Sequence, residues 1–471
     1  MLNYRKALIA RLAQMGPRYL PFADVASDEV PLSRLLRLSL FQVTVGMALV
    51  LLVGTLNRVM IVELNVSASL VGIMIALPLV FAPFRAVIGF RSDTHRSALG
   101  WRRIPYIWKG TMLQFGGFAV MPFALLVLSG YGDAVDAPLW IGHCSAALAF
   151  LLVGAGVHMV QTVGLVLATD LVEEEDQPKV VGLMYVMLLL GMIVSAFVFG
   201  ALLENYSPGR LIQVIQAAAV LTIVLNGCAL WKQEARNRTR ATTPMPKQQF
   251  RASFARLMRH AGAVRLLVVI ALGTFGFGMA DVLLEPYGGQ VLDLSVAQTT
   301  KLTALLALGS LFGFGLASHV LGAGGNPVAM SWYGALVGVP AFCAIIASAY
   351  LNAPLVFAGA TVFTGVGAGL FGHGTLTATM RAAPRDQIGL ALGAWGAVQA
   401  TAAGLGVALG GVARDLILLS GASGANNPEL PYVPVFGAEA LFLLAAMAAL
   451  YPMLKKTAQT PSPDVFANSK T

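Results

Sequence analysis

The chain alternates long apolar segments with short polar interruptions from residue 36 to residue 454. Each apolar segment has about 20 residues or more, which is the length of helix that crosses the hydrocarbon core of a bilayer. The pattern therefore predicts an all-α polytopic membrane protein with twelve transmembrane helices. The predicted spans are 36–57, 67–90, 106–129, 139–169, 180–203, 210–231, 264–285, 297–320, 327–350, 354–380, 388–419 and 435–454.

A single long polar interruption, residues 232–262, divides these spans into two sets of six. Gly164, Ala168, Thr169, Asp176 and Gln177 recur 210 residues later, at the equivalent end of span ten. Internal repeats of this kind indicate two parallel six-helix repeats, which make up the major facilitator fold. The predicted parts are a cytoplasmic N-terminal segment with an interfacial helix (1–35), an N-terminal half (36–231), a basic cytoplasmic linker (232–262), a C-terminal half (263–455) and a cytoplasmic tail (456–471).

The composition excludes a soluble globular protein. Hydrophobic residues make up 57% of the chain and charged residues only 11%, whereas soluble domains carry about 25% charged residues. The net charge of +9 does not indicate a nucleic-acid partner, because all but five of the 31 Lys and Arg lie in alternate loops and in the two tails. That distribution follows the positive-inside rule and predicts that both termini are cytoplasmic. The basic, amphipathic segment from Asn3 to Met15 indicates contact with anionic membrane lipid.

No pattern in the sequence indicates an enzyme or a metal site. The three cysteines lie inside apolar segments, without the spacing of a metal site or a disulfide framework. Gly367-x-Gly369-x-x-Gly372 matches a dinucleotide fingerprint, but it lies within a predicted span, where glycines favour close helix packing. The acidic run from Asp170 to Asp176 has no regular oxygen-ligand spacing, so we expect it to face basic loops of neighbouring helices.

The segment from Gly89 to Arg103 forms a short basic loop between spans two and three. It is similar to the loop between the second and third helices of the major facilitator superfamily, whose signature is G-x-x-x-D-R-x-G-R-R. Thr94 replaces the first Arg of that signature, and the Arg pair comes later. We expect the loop to hold the two halves together through charge-assisted hydrogen bonds; an ordinary basic loop is the alternative. The candidate residues are Gly89, Asp93, Arg96, Gly100, Arg102 and Arg103.

Five runs of the sequence carry a further resemblance. They are Tyr19 to Asp24, Gly54 to Met60, Ala82 to Arg85, Gly89 to Arg103 and Ala168 to Gly182. Together they resemble the PucC and LhaA family, the bacteriochlorophyll-delivery branch of the major facilitator superfamily. The resemblance implies a factor that assembles bacterial light-harvesting antenna complexes in the photosynthetic inner membrane. It would deliver bacteriochlorophyll, chaperone antenna polypeptides, or do both, with those polypeptides and the pigment's biosynthetic machinery as partners.

Three histidines lie inside predicted spans and are candidates for binding that pigment, because a neutral imidazole can ligate the magnesium of a chlorin. His158 lies ~18 Å from the nearer membrane face and shares a helical face with Gln161 and Thr162. His373 lies ~12 Å deep between two glycines, and His143 lies near the outer end of span four. We favour His158 as the ligand. The alternative for each is an imidazole hydrogen-bonded between helices.

Asp281 and Glu285 share a face of span seven and could bind a cation or a proton. Because they lie near the outer end of the span, we expect them to be solvated. The sequence therefore leaves three functions open. They are a pigment-handling assembly factor, a proton-coupled small-solute transporter, and a chaperone that packs antenna helices without contacting pigment.

Overall fold

The computed structural model describes residues 30–80, 88, 92, 101–130, 134, 136–173, 176–234, 258–259, 262–383, 388–420 and 427–459. In this part of the chain the regular structure is helical, with no β-strand. The helices are α1 (Leu32–Glu63), α2 (Ala68–Val80), α3 (Ile104–Ser129), α4 (Leu139–Thr169), α5 (Gln177–Leu202), α6 (Pro208–Leu230), α7a (Ala263–Gly278), α7b (Leu284–Val291), α8 (Val296–Gly322), α9 (Pro327–Tyr350), α10 (Pro354–Ala382), α11 (Ile388–Leu419) and α12 (Val433–Gln459).

These helices confirm the predicted fold class. Among the described residues, 11 helical segments are long and apolar enough to cross a membrane, and α2 adds a shorter apolar segment, Ala68–Leu79. The observed bounds of α4, α9 and α11 coincide with the predicted spans. The protein is therefore a multi-pass membrane protein. The predicted division into an N-terminal segment, linker and tail falls largely outside the described residues and stays a prediction.

Side-chain caps fix the starts of three helices. Ser207 accepts a hydrogen bond from the Arg210 amide at the start of α6. Ser295 and Gln298 form a reciprocal capping box at the start of α8, and Asn326 accepts from two amides of α9. Each cap satisfies backbone donors that the first turn of a helix leaves without partners.

The first six helices pack against the last six along two pairs, α2 with α11 and α5 with α8. Glycines allow close approach along the first pair, since a Cβ on Gly411 would lie 2.3 Å from the Ala68 carbonyl oxygen. Glycines also join α10 to its neighbours, as expected. A Cβ on Gly367 would lie 2.8 Å from the Gly334 oxygen of α9, and one on Gly369 would lie 2.4 Å from the Ser310 oxygen of α8.

The seventh span differs from the continuous helix predicted over 264–285. α7a ends at Gly278, a 3-10 turn occupies Ala280–Val282, and α7b begins at Leu284. Pro286 provides the physical reason, because proline lacks a backbone N–H and its ring excludes the carbonyl four residues earlier, here that of Val282. Asn57 of α1 donates through Nδ2 to that carbonyl at 3.0 Å. The helix therefore breaks in the interior, and a polar side chain from the other half satisfies the freed backbone.

Candidate functional site

A cavity of about 600 Å³ lies between the first six and the last six helices. Its walls are mostly apolar, with a small number of polar side chains from both sets of helices. That combination is typical of small-molecule sites, where apolar surface binds and a few polar groups orient the ligand. The polar lining residues are His158, Gln161, Tyr185, Thr274, Asp281, Ser310, Thr364, Trp395 and Gln399.

Hydrogen bonds join the two sets of helices at one end of this cavity, which is here called the far side. The opposite end, where α1 and α7a begin, is called the linker side. The Thr55 and Thr300 hydroxyls lie 3.2 Å apart. The Asp415 carboxylate accepts from the Ser69 amide at 2.7 Å, and Arg58 donates to the Leu294 carbonyl at 3.1 Å. These contacts join the two sets of helices on the far side, and Asp281 and Leu284 place the cavity floor at the depth of the break in α7.

His158 lies on the α4 wall of the cavity, half-buried, where the sequence predicted an interior polar stripe. The neighbouring glycines do not widen this wall. A Cβ on Gly154 would lie 2.3 Å from the Pro78 ring of α2, and one on Gly156 would lie 2.5 Å from the Gly110 oxygen of α3. These glycines therefore leave no room for a large planar ring beside His158, because neighbouring helices already occupy the space.

His373 lies in a side pocket of about 240 Å³ that adjoins the central cavity. The two spaces share lining residues, among them Tyr185, Gly372 and Trp395. The ring of His373 packs against Phe314, with centroids 4.3 Å apart, and its buried Nδ1 has no hydrogen-bond partner among the described residues. A Cβ on Gly372 would have no atom within 4 Å. This histidine therefore has open space beside it and an unused ring nitrogen.

His143 is separate from both of these spaces. It lies in the second turn of α4, near the far side, and is half-buried. It lines neither the central cavity nor the side pocket. Of the three candidate histidines, the structure thus brings His158 and His373 to connected spaces and places His143 elsewhere.

The loop between α2 and α3 is described only in part. Gly89, Asp93, Arg96 and Gly100 lie outside the described residues, so their predicted role stays a prediction. The Arg103 side chain donates to Asp170 at 3.1 Å and to Ser92 at 2.7 Å. Arg102 lies 3.7 Å from Asp170.

These arginine contacts stay within the first six helices, whereas we expected the Arg pair to join the two halves. Asp170 ends α4, so Arg103 ties the start of α3 to α4. Glu234, which follows α6, accepts from the backbone amides of Arg102, Arg103 and Ile104. An anion at this position stabilises the start of α3, because the first amides of a helix have no partners within the helix. The expected contact between the acidic run and a basic loop is confirmed at Asp170.

Buried carboxylates are the feature that the sequence analysis missed. Glu285 is only 3% exposed, so the expectation that it is solvated is wrong. It accepts a hydrogen bond from Thr303, and Gly54 of α1 packs directly against both side chains. Glu439 of α12 is fully buried as well, although we did not single it out. A lone Glu within the apolar run that forms α12 was the available signal.

The class of protein follows from the backbone, which has the major facilitator transporter fold. The chain is similar to a bacterial homolog of the human lysosomal transporter Spinster in an inward-facing, unoccupied conformation (TM-score 0.66, 14% identity, 92% of this chain and 98% of that one). It is also similar to the D323A mutant of the nucleoside transporter NupG (TM-score 0.67, 13% identity, 89% of this chain and 99% of that one). At these identities the similarity shows the fold alone.

Residues 55–458 match the family model described as PUCC protein, and the chain belongs to that family. Protein PucC of Rhodobacter capsulatus is 65% identical over 461 residues, covering 97% of this chain and 99% of the relative. Protein PucC of Rhodovulum sulfidophilum is 65% identical over 91% of this chain and 95% of the relative. The bacteriochlorophyll synthase 44.5 kDa chain of Rhodobacter capsulatus is 30% identical over 88% of this chain and 94% of the relative. The resemblance expected from the sequence is confirmed.

Proposed function

We propose that this protein is an assembly factor for bacterial light-harvesting antenna complexes and that it holds bacteriochlorophyll in its central cavity. The observation that carries the proposal is the cavity between the two sets of helices, which is mostly apolar and adjoins the side pocket of His373, whose Nδ1 has no hydrogen-bond partner among the described residues. The name of one relative, a bacteriochlorophyll synthase chain, supports the same pigment.

The residues of the two connected spaces fit the chemistry of a chlorin. Such a pigment has a broad apolar face and a magnesium ion that takes an axial ligand. The apolar walls would contact the ring, and a neutral imidazole would supply the ligand atom. We propose His373 for that role, because its buried Nδ1 has no partner among the described residues and Gly372 leaves room beside it. His158, on the opposite wall, is the second candidate.

The proposed role is binding and transfer, without a chemical step. Antenna polypeptides and the machinery that makes bacteriochlorophyll are the proposed partners. The proposed location is the intracytoplasmic photosynthetic membrane, with the linker side facing the cytoplasm, because α1 and α7a begin on that side, directly after basic stretches of the sequence. Reporter fusions at Lys247 and Thr471 test the orientation, and external activity at either position would contradict it.

Purification from a pigment-producing host in mild detergent tests the proposal. The wild-type protein is expected to carry stoichiometric bacteriochlorophyll absorbance. His319→Ala is a matched control, because His319 is an exposed histidine in the last turn of α8 and lines neither space. It should retain the pigment, whereas His373→Ala at matched expression should lose most of it. Wild-type protein that purifies free of pigment would contradict the proposal.

A proton-coupled small-solute transporter is the second candidate function. The buried carboxylates Glu285 and Glu439 favour it, since ionisable groups inside a membrane protein commonly mark proton or ion pathways. Solute uptake by proteoliposomes under an imposed pH gradient would support this function over pigment handling.

A further inference from the structure

Two acidic residues lie where α12 packs against the break in α7. Glu439 of α12 is fully buried, and neither of its carboxylate oxygens has a hydrogen-bond partner among the described residues. Asp281 lies in the 3-10 turn between α7a and α7b, and α12 contacts that turn.

The nearby cations already have partners. Arg58 pairs with Glu63. Arg414 donates to Asp415 and to Gln290, each at 2.8 Å. Neither of these arginines contacts Glu439 among the described ion pairs.

The other helices that pack against α12 add no charge at this depth. α9 contains no Asp, Glu, Lys, Arg or His, and Arg414 and Asp415 are the only such residues of α11. On the broken seventh span, Glu285 faces Arg58 and Thr303, and Arg265 lies in the first turn of α7a, at the linker side. Among the described residues, no cation therefore faces Glu439 or Asp281 across this packing.

Such a pair cannot carry two negative charges at low cost. An ionised carboxylate in an apolar interior is strongly unfavourable unless it is paired, and two close carboxylates share a proton instead of both ionising. A metal ion is a poorer counterion here, because no group of three or more His, Cys, Asp or Glu among the described residues could hold one.

The pair also has a route to the central cavity. Asp281 lines that cavity, whereas Glu439 lies behind it in the helix packing. The broken helix creates this route, because the 3-10 turn brings Asp281 to the cavity floor while Asn57 holds the freed carbonyls of Asp281 and Val282. A proton can thus reach the buried carboxylate by way of a group at the cavity surface.

We propose that Asp281 and Glu439 form a proton-binding pair that exchanges a single proton with the central cavity. In the exchange, a hydronium ion in the cavity gives its proton to a carboxylate oxygen of the pair, which leaves a water molecule and a neutral carboxyl group. The reverse step returns the proton. The pair thereby makes the charge of the cavity floor depend on pH, whichever ligand the cavity holds, so the inference does not rest on the pigment proposal.

Infrared difference spectroscopy of the purified full-length protein tests the exchange directly. A protonated carboxyl group has its own C=O stretching band, which shifts in deuterium oxide when the proton exchanges. Wild-type protein is expected to show a band that exchanges and that disappears as the pH is raised. Glu439→Gln should remove the part of this band that belongs to the pair, and Glu285→Gln identifies the part that the buried Glu285 contributes. Glu204→Gln should leave the band unchanged, because Glu204 is exposed in the turn after α5.

Asp281→Asn is a second test variant, for the case that Glu439→Gln does not fold. Asp281 is only half-buried at the cavity wall, so we expect the folded protein to tolerate this substitution. It removes the neighbouring charge and should alter the pH at which the band disappears. A band with the same amplitude and the same pH dependence in wild type, Glu439→Gln and Asp281→Asn would overturn the proposal. A band that neither exchanges nor titrates in the wild type would also overturn it, since Glu439 would then be a permanently neutral structural group.

Discussion

α4 and α10 carry the same short repeat, offset by 210 residues, yet their histidines have different surroundings. The repeat aligns His158 with Ala368, and both line the central cavity. It aligns His373 with Val163, which is fully buried among the first six helices. Both repeats thus line the central cavity, and the imidazole of the second repeat lies in the side pocket that adjoins it.

The glycines beside the two histidines differ in the same way. Gly156 of α4 is pressed against α3, whereas Gly372 of α10 faces open space. Gly374, on the other side of His373, packs against Ser331 of α9, so in the second repeat it is Gly372 that leaves room beside the histidine. Substitutions at matched positions of the two helices separate these roles.

The largest expected effect is on the packing of α4. Gly156→Val should lower the free energy of unfolding by about 3 kcal/mol, because the added side chain would overlap the Gly110 carbonyl. Thermal unfolding in detergent measures the change. An unaltered melting temperature would show that α3 and α4 can separate without cost.

Contacts at the linker-side ends of the two helices come next. Arg103→Ala should destabilise the protein by about 2 kcal/mol, because it removes a buried side chain and leaves the buried Ser92 hydroxyl without its donor. Arg381, at the end of α10, donates to the carbonyls of Leu321 and Gly325 but is exposed. Arg381→Ala is therefore expected to cost less than about 0.5 kcal/mol. Equal melting temperatures of the two variants would contradict this difference.

Pigment occupancy distinguishes the two histidines. His373→Ala should weaken pigment binding about tenfold, which corresponds to about 1.4 kcal/mol, because it removes the proposed axial ligand. His158→Ala should weaken binding less, since it removes only part of a cavity wall. Co-purified pigment per chain at matched expression is the measurement. A larger loss in His158→Ala would assign the ligand to α4, as the sequence alone favoured.

The smallest effect is expected at Gly372. Gly372→Ala should change the free energy of unfolding by less than about 0.5 kcal/mol, because the added methyl group would meet no other atom. Thermal unfolding of Gly372→Ala, measured alongside Gly156→Val, compares how tightly α10 and α4 pack at these positions. A destabilisation as large as that of Gly156→Val would mean that α10 packs as tightly here as α4 does.

Hydropathy was sufficient to predict the spans, because each one must cover the hydrocarbon core. The membrane depths predicted for His158 and His373 came from counting residues along straight helices. The break in α7 was also readable, since Pro286 lies within that apolar segment, but we treated the span as continuous.

Other features depend on contacts between helices that sequence spacing does not specify. Gly154 is a packing residue only because Pro78 of α2 lies against it, and Gly156 only because α3 does. Likewise, Glu439 and Asp281 are more than 150 residues apart, and the packing of α12 against the broken seventh span makes them neighbours. Asp93 of the loop motif remains predicted from its resemblance alone.

The central claim, that the cavity and its side pocket bind bacteriochlorophyll through His373, is tested most directly by adding the pigment to protein purified from a host that makes no pigment. The account predicts that the pigment's absorption shifts on binding and that the shift saturates at a stoichiometric ratio in wild type and in His319→Ala. The shift should be largely lost in His373→Ala. Pigment that keeps its absorption in detergent alone at every ratio, or that shifts equally with His373→Ala, would contradict the claim.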